Sequence, residues 1–200
     1  LETKSKHKHN PQELYKSLQD LMHIDLNEDQ QQGILSTLQN KISIITGGPG
    51  TGKTTLLATM LKLLDEYELS YKLAAPTGRA AKRMMESTKR HAMTIHRLLE
   101  FDPSTMRFQR NEQYALKADF LIIDEASMLD VYLMHAVVKA VPLTTHLVFI
   151  GDVDQLPSVG PGNILNDLIE SNVINYTKLT QIFRQAQDSM IIRNAHNINN

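Results

Sequence analysis

KISIITGGPGTGKTTLL, Lys41 to Leu57, is the stretch whose reading decides the fold. It opens as a buried strand, with Ile42, Ile44 and Ile45 forming a short, mostly β-branched apolar run. Gly47-Gly48-Pro49-Gly50-Thr51-Gly52-Lys53-Thr54 then fits G-x-x-x-x-G-K-[ST] in full. Leu56, Leu57, Met60, Leu61 and Leu64 follow at helical spacing. The residue types have a physical reason. Glycines let backbone N–H groups turn inward around a polyphosphate, where a Cβ would obstruct the turn. The helix starting near Lys53 points its positive end at the same anion. Lys53 can reach the β- and γ-phosphates and the Thr54 hydroxyl can ligate Mg²⁺. An incidental glycine-rich turn would not need a strand before it and a helix after it. The stretch implies binding of a nucleoside triphosphate.

Upstream, Asn27 is placed to cap a helix running through Leu38, with the opening Leu26-Asn27-Glu28-Asp29-Gln30. Gln30 can pair with the ring nitrogen and amino group of adenine; taken alone it reads as an exposed helix residue. Pro11 to Ile24 carries Leu14, Leu18, Leu21 and Met22 as a short amphipathic helix behind a polar start, LETKSKHKHN. His7 and His9 in that start read as solvated. The polar start, and a helical pattern still running from Met190 to Asn200, raise the expectation of a piece cut from a longer protein.

Downstream, Lys72 to Ala75 reads as a second strand ending in Pro76-Thr77-Gly78-Arg79, and Ala80, Ala81, Met84 and Met85 continue as a helix. Lys72, Arg79, Lys82, Arg83, Lys89, Arg90 and Arg97 face Glu86 alone in this region. A basic helix face is usually only solvated. Starting at the carboxyl end of a strand beside the phosphate strand, where ligands of open α/β sheets bind, it becomes a candidate polyanion track. Thr94 to Leu99 starts a short helix with Thr94 as cap. Phe101 to Leu116 breaks helical periodicity and reads as a small projecting β-hairpin.

Ala118 to Ile123 is a third strand, leading into Asp124-Glu125-Ala126-Ser127. Two adjacent carboxylates leaving a strand suit the second half of a nucleotide site: Asp124 as Mg²⁺ ligand, Glu125 to orient and deprotonate the attacking water. His146 to Ile150 is a fourth strand, ending in Gly151-Asp152-Val153-Asp154-Gln155-Leu156-Pro157, where Gln155 is placed to sense the terminal phosphate. A helix from Asn163 to Glu170 and a fifth strand from Val173 to Leu179 follow, then Thr180-Gln181-Ile182-Phe183-Arg184-Gln185. Arg184 by itself reads as a surface charge.

The composition sets bounds. Two hundred residues at 42% hydrophobic content are ample for one core. A net charge of −1 gives no global pull toward nucleic acid or membrane, so the local asymmetry matters more. No cysteine is present, which excludes disulfides and thiolate metal sites and suits the cytoplasm. No apolar run approaches the ~20 residues of a membrane helix.

In this arrangement the chain resembles the first RecA-like motor domain of superfamily 1 DNA helicases, closest to the RecD-like family that includes the exodeoxyribonuclease V alpha subunit. Six blocks carry the resemblance in the family's order: LNEDQ at Leu26, GGPGTGKTT at Gly47, APTGRAA at Ala75, TIHRLL at Thr94, IIDEASM at Ile122 and GDVDQLPSVGPG at Gly151. LTQIFRQ at Leu179 and NAH at Asn194 to His196 extend it. The resemblance implies an α/β RecA-like P-loop NTPase fold, a parallel sheet flanked by helices, with a small β-hairpin insertion at about 101–116. It implies residues 1–24 as linker and short helix, residues 25–200 as the first RecA-like domain, and a second such domain beyond the chain. ATP and Mg²⁺ are the implied cofactors. Gly48, Pro49, Gly50, Thr51, Gly52, Lys53, Thr54 and Thr55 would cradle the nucleotide and Gln30 would read adenine. Thr54 and Asp124 would hold the metal, while Lys53, Asp124, Glu125, Gln155 and Arg184 would serve hydrolysis. Pro76, Thr77, Gly78, Arg79, Lys82, Thr94 and His96 would lie along single-stranded DNA, with the hairpin at a duplex junction. The implied activity is ATP-driven unwinding with 5′-to-3′ movement, in DNA repair or recombination and with partners from those processes. A non-motor, ATP-gated DNA-binding switch is the alternative from another class, and an RNA helicase a weaker one.

Overall fold

The computed structural model describes residues 26–182. The helix expected over Pro11 to Ile24, His7, His9, Arg184 and Asn194 to His196 lie outside those residues. In chain order the strands are β1 (Ile42–Thr46), β2 (Tyr71–Ala75), β3 (Ala92–Thr94), β4 (Phe101–Asp102), β5 (Arg107–Phe108), β6 (Phe120–Ile123), β7 (His146–Gly151) and β8 (Asn175–Lys178). The helices are α1 (Glu28–Gln39), α2 (Lys53–Glu66), α3 (Gly78–Thr88), α4 (Ile95–Leu98), α5 (Val131–Ala140) and α6 (Ile164–Glu170), with a 3₁₀ turn at Ala126–Met128.

Six strands form one sheet in the order β3-β2-β6-β7-β1-β8, every pairing parallel. Parallel neighbours need crossovers, and the helices supply them on both faces. Alternation along the strands divides the core. Ile45, Leu73, Phe120, Ile122, Val148 and Ile150 pack with Ile34 of α1 and Leu56, Met60 and Leu64 of α2. Ile44, Ala74, Leu121, Ile123, Leu147 and Phe149 pack the opposite way, with Ile95 of α4, Leu133 and Val137 of α5 and Leu165 of α6. Each fully buried Ile or Leu contributes about 1.5–3 kcal/mol, so the two faces make the sheet the centre of the domain. The expected parallel α/β architecture is the observed one, and β4 and β5 form the small antiparallel insertion.

Two elements were not expected. β3 is three residues following Lys89-Arg90-His91, too short to announce itself by alternation. α5 is apolar nearly all round and leaves Tyr132 and Val138 exposed, which hides its period; its start is marked by Asp130, whose Oδ1 accepts from Leu133 N at 2.7 Å. Among the described residues no helix is long and apolar enough to cross a membrane.

At the amino edge of the sheet, His146 stacks on Phe120 with ring centroids 4.7 Å apart, and its Nδ1 lies 2.9 Å from the Asn40 carbonyl oxygen. Burial, aided by Lys41, holds its pKa below the ordinary histidine value despite the Asn40 bond. The unfolded chain therefore takes up this proton more readily than the folded one. Stability from His146 is fully present above pH ~6.5 and is lost as pH falls toward the lower folded value. His146→Asn keeps a donor for Asn40 and cannot titrate, so urea midpoints at pH 5 and pH 8 should differ less in that variant than in the parent.

Candidate functional site

β1 ends with Thr46, and the chain turns at once into the glycine-rich loop. Gly50 and Gly52 have φ of 79° and 83°, left-handed values that a side chain would make costly. These two positions wrap the loop around a hollow and aim α2 at it. Gly47 N donates to the Gly151 carbonyl at 3.2 Å, tying the loop to the end of β7. A Cβ at Gly48 would meet no protein atom within 4 Å, so its absence leaves the hollow open rather than relieving a clash. Thr51 closes the turn by donating to the Gly48 carbonyl at 2.8 Å, and Thr54 and Thr55 stand exposed on the first turn of α2.

Lys53 curls back into this loop, where its Nζ donates to the carbonyls of Gly47 and Gly48. Burial pulls its pKa below the ordinary lysine value, while Asp152, Asp124 and Glu125 oppose that pull. A cation held short of full solvation beside open loop N–H groups is what a phosphate chain would complete. Of these carboxylates Asp152 opposes it most strongly. It is 3% exposed and had no role in the sequence reading. It accepts from Asp154 N at 3.1 Å and lies 3.4 Å from Gln155 Nε2, so it organises the loop after β7. Gln155 itself is exposed, and Thr46 Oγ1 accepts from Val153 N at 3.1 Å to pin the same loop against β1.

Asp124 and Glu125 leave β6, two strands from β1, and share a cleft of about 460 Å³ with Thr54 and Arg83. Burial pushes the Asp124 carboxyl above its ordinary pKa. A divalent cation would relieve that cost, and Thr54 opposite supplies a hydroxyl. Among the described residues no group of three or more His, Asp or Glu side chains is placed to hold a metal. The small set of Thr54 and Asp124 suits Mg²⁺, which keeps waters and phosphate oxygens as its other ligands. Glu125 has φ 55°, and its N–H donates to Asp124 Oδ1 at 2.9 Å. Its carboxylate pairs with Arg83 at 3.7 Å.

Of the two readings of Gln30, an exposed helix residue or an adenine contact, burial rules out the first: it is fully buried. Its Oε1 accepts from Asn27 N at 3.1 Å, its Nε2 donates to the Gly52 carbonyl at 3.3 Å, and Asn27 Oδ1 accepts from Gln30 N at 2.9 Å. This capping box joins α1 to the phosphate loop. Asp29 Oδ2 accepts from Thr180 N and Oγ1 at 2.9 and 2.7 Å, fixing the segment after β8 beside the same loop.

The basic run divides in space. Arg90 bonds to Asp65 and Tyr71, at the start of β2, and Lys72 follows Tyr71 on that strand, so both stand away from the carboxyl edge. Arg79, Lys82 and Arg83 lie on α3, which starts at that edge. Ala75 pairs with Thr94, which brings Pro76, Thr77 and Gly78 beside Thr94 and His96. Thr77 and Thr94 both cap helices, accepting from Ala80 N and Arg97 N at 3.2 Å. His96 also contacts Phe101 and Phe108, at 5.4 and 5.5 Å between centroids, bracing the hairpin against α4.

A family model described as an AAA domain matches residues 30–161. The ATP-dependent RecD2 DNA helicase of Deinococcus radiodurans is 39% identical over 173 residues, 86% of this chain and 24% of that protein. The RecBCD enzyme subunit RecD of Mycolicibacterium smegmatis is 40% identical over 167 residues, 72% of this chain and 30% of that protein. Among solved structures, the Pif1 helicase from Candida albicans superposes with a TM-score of 0.64 at 26% identity, covering 88% of this chain and 44% of that one. The RecD-like resemblance carried by the six motif blocks is thereby borne out. The chain spans about a quarter to a third of the length of these curated relatives.

Proposed function

The chain belongs to the AAA domain family, and on that premise we propose that it is the ATP-binding motor domain of an ATP-dependent DNA helicase. One observation carries the reading: Lys53 and Thr54, Asp124 and Glu125, and Asp152 and Gln155 converge on a single carboxyl edge of the sheet. The segments from Pro76 to Arg79 and from Thr94 to His96 lie together along that same edge. In this reading the nucleotide and strand sites share one edge of the sheet.

In this reading the glycine-rich loop and Lys53 bind and orient the phosphates, and Gln30 reads the base once its amide turns out of its buried contacts with Asn27 and Gly52. Thr54 and Asp124 would hold Mg²⁺, which when bound would neutralise charge on the phosphates. Glu125 orients the attacking water and takes its proton, and Gln155 relays the state of the terminal phosphate to the strand. Residues 25–200 act as the first of two RecA-like domains, the second closing over the nucleotide. The whole protein works in the cytoplasm in repair or recombination, on single strands and duplex junctions, with 5′-to-3′ polarity. The hairpin of β4 and β5 meets the junction.

The test is strand displacement by the full-length protein. With ATP and Mg²⁺ a 5′-tailed duplex should be separated and a 3′-tailed one left intact. A change of DNA affinity with nucleotide, without separation on either substrate, would instead establish the non-motor switch. The strand track has its own expected result. Arg79→Glu with Lys82→Glu should weaken oligo-dT binding about equally for all sequences and flatten its salt dependence by about two phosphate contacts. Fluorescence anisotropy at several salt concentrations reads both; unchanged binding at low salt would make this face a solvated one.

A further inference from the structure

Arg83 sits where the proposed nucleotide and strand sites meet. Its Nη2 is 3.7 Å from Glu125 Oε1, and it lines the cleft that holds Thr54 and Asp124. Four residues before it on α3 is Arg79, and one before it is Lys82, so the pair at i and i+4 shares a face of the helix. The helix itself starts beside Thr77, among the proposed strand contacts, and Arg83, one turn beyond Arg79, meets a carboxylate of the nucleotide site. The Arg83 side chain is 62% exposed, whereas that of Glu125 is 24% exposed. A polyanion can therefore reach the guanidinium while the carboxylate stays covered. The backbone of Glu125 is pinned, by its left-handed φ and by its N–H on Asp124, which leaves the side chain as the part free to turn.

We propose that Arg83 is the positioning residue through which a bound single strand controls Glu125. With the track empty, Arg83 draws the Glu125 carboxylate toward α3 and away from the attacking water. Strand phosphates compete for the guanidinium, which binds phosphate oxygens in a matched, two-pronged geometry. Release of Glu125 then lets it turn to the water. The 3.7 Å separation is too long for a hydrogen bond, and such partly exposed pairs are weak, which suits an exchangeable contact better than a structural one. The inference rests on the reading of Glu125 as the water-orienting carboxylate.

The experiment is steady-state ATP hydrolysis by the full-length protein with and without saturating oligo-dT. Arg83→Gln should raise the DNA-free rate by about two- to fivefold, the size of one partly exposed ion pair, and bring the stimulated-to-basal ratio toward one at unchanged KM for ATP. Arg83→Lys should fall between, since an ammonium pairs with a carboxylate but does not fork onto phosphate. A second readout needs no hydrolysis. Glu125→Gln should tighten oligo-dT binding by freeing Arg83, and this gain should vanish in the Arg83→Gln background. An unaltered stimulation ratio in Arg83→Gln, an equal fall of both rates, or the same Glu125→Gln effect in both backgrounds would overturn the coupling. Normal turnover in Glu125→Gln alone would overturn the reading of Glu125 beneath it.

Discussion

Lys53→Ala should weaken ATP binding by about 100-fold or more while leaving the fold intact. The ammonium is the mobile cation of the cradle, already drawn over the loop by the carbonyls of Gly47 and Gly48. The carbonyls are neutral and the phosphates are charged, so the exchange adds a charge–charge attraction of about 4 kcal/mol at roughly 4 Å and an effective dielectric of about 20, enough for ~100-fold or more. The fold should not suffer to match. Burial disfavours the charged form of Lys53, so its removal deletes a partly desolvated charge, and Asp152, Asp124 and Glu125 lose a counter-charge in return. The opposing effects leave the melting temperature within a few degrees. Calorimetric titration with Mg²⁺ and ATP, beside a thermal melt, reads both quantities. Unchanged affinity in a folded variant would remove the phosphate-loop assignment.

The parts of this site that announce themselves in sequence are those whose chemistry is local. Lys53 and Thr54 are legible because one loop must be glycine-rich, end in a helix and carry a cation within eight residues. Asp124 and Glu125 are legible because a four-residue apolar run stops at them. Asn27 is legible as a cap because capping is a contact between near neighbours, and the structure completes the box with Gln30. Gln30 is singled out only by the family resemblance, because taken alone it reads as exposed. Its burial comes from Gly52, twenty-two residues away, and no helical pattern reports it. Asp152 is overlooked for the same reason: only the pairing of β7 with β1 brings it to Lys53. The basic run from Lys72 to Arg97 is legible as charge but not as geography. Arg90 belongs to Asp65 and Tyr71, whereas Arg83 turns to Glu125, and the length of α3 decides which cation faces which end of the sheet.

Glu125→Gln should lower kcat by roughly 10²–10⁴, the range for losing a positioned general base, with ATP binding retained. The separation of effects follows from where the groups sit. Phosphate binding falls to Lys53 and the glycine-rich loop and metal binding to Thr54 and Asp124, none of which the substitution alters. Glutamine keeps the shape of the side chain and can occupy the same left-handed backbone, which is set by the turn from β6 into the 3₁₀ segment rather than by the carboxylate. What disappears is the charge and the ability to take a proton from water. The measurement is single-turnover hydrolysis in the full-length protein at saturating ATP, with a fluorescent nucleotide to confirm occupancy. Near-normal turnover would move the base to another carboxylate at the same edge. Asp154 is the first to examine, because it is exposed on the loop after β7 and only its backbone is engaged by Asp152. Asp124 would be the poorer substitute: its carboxylate already accepts the Glu125 N–H and is the one placed opposite Thr54 for metal.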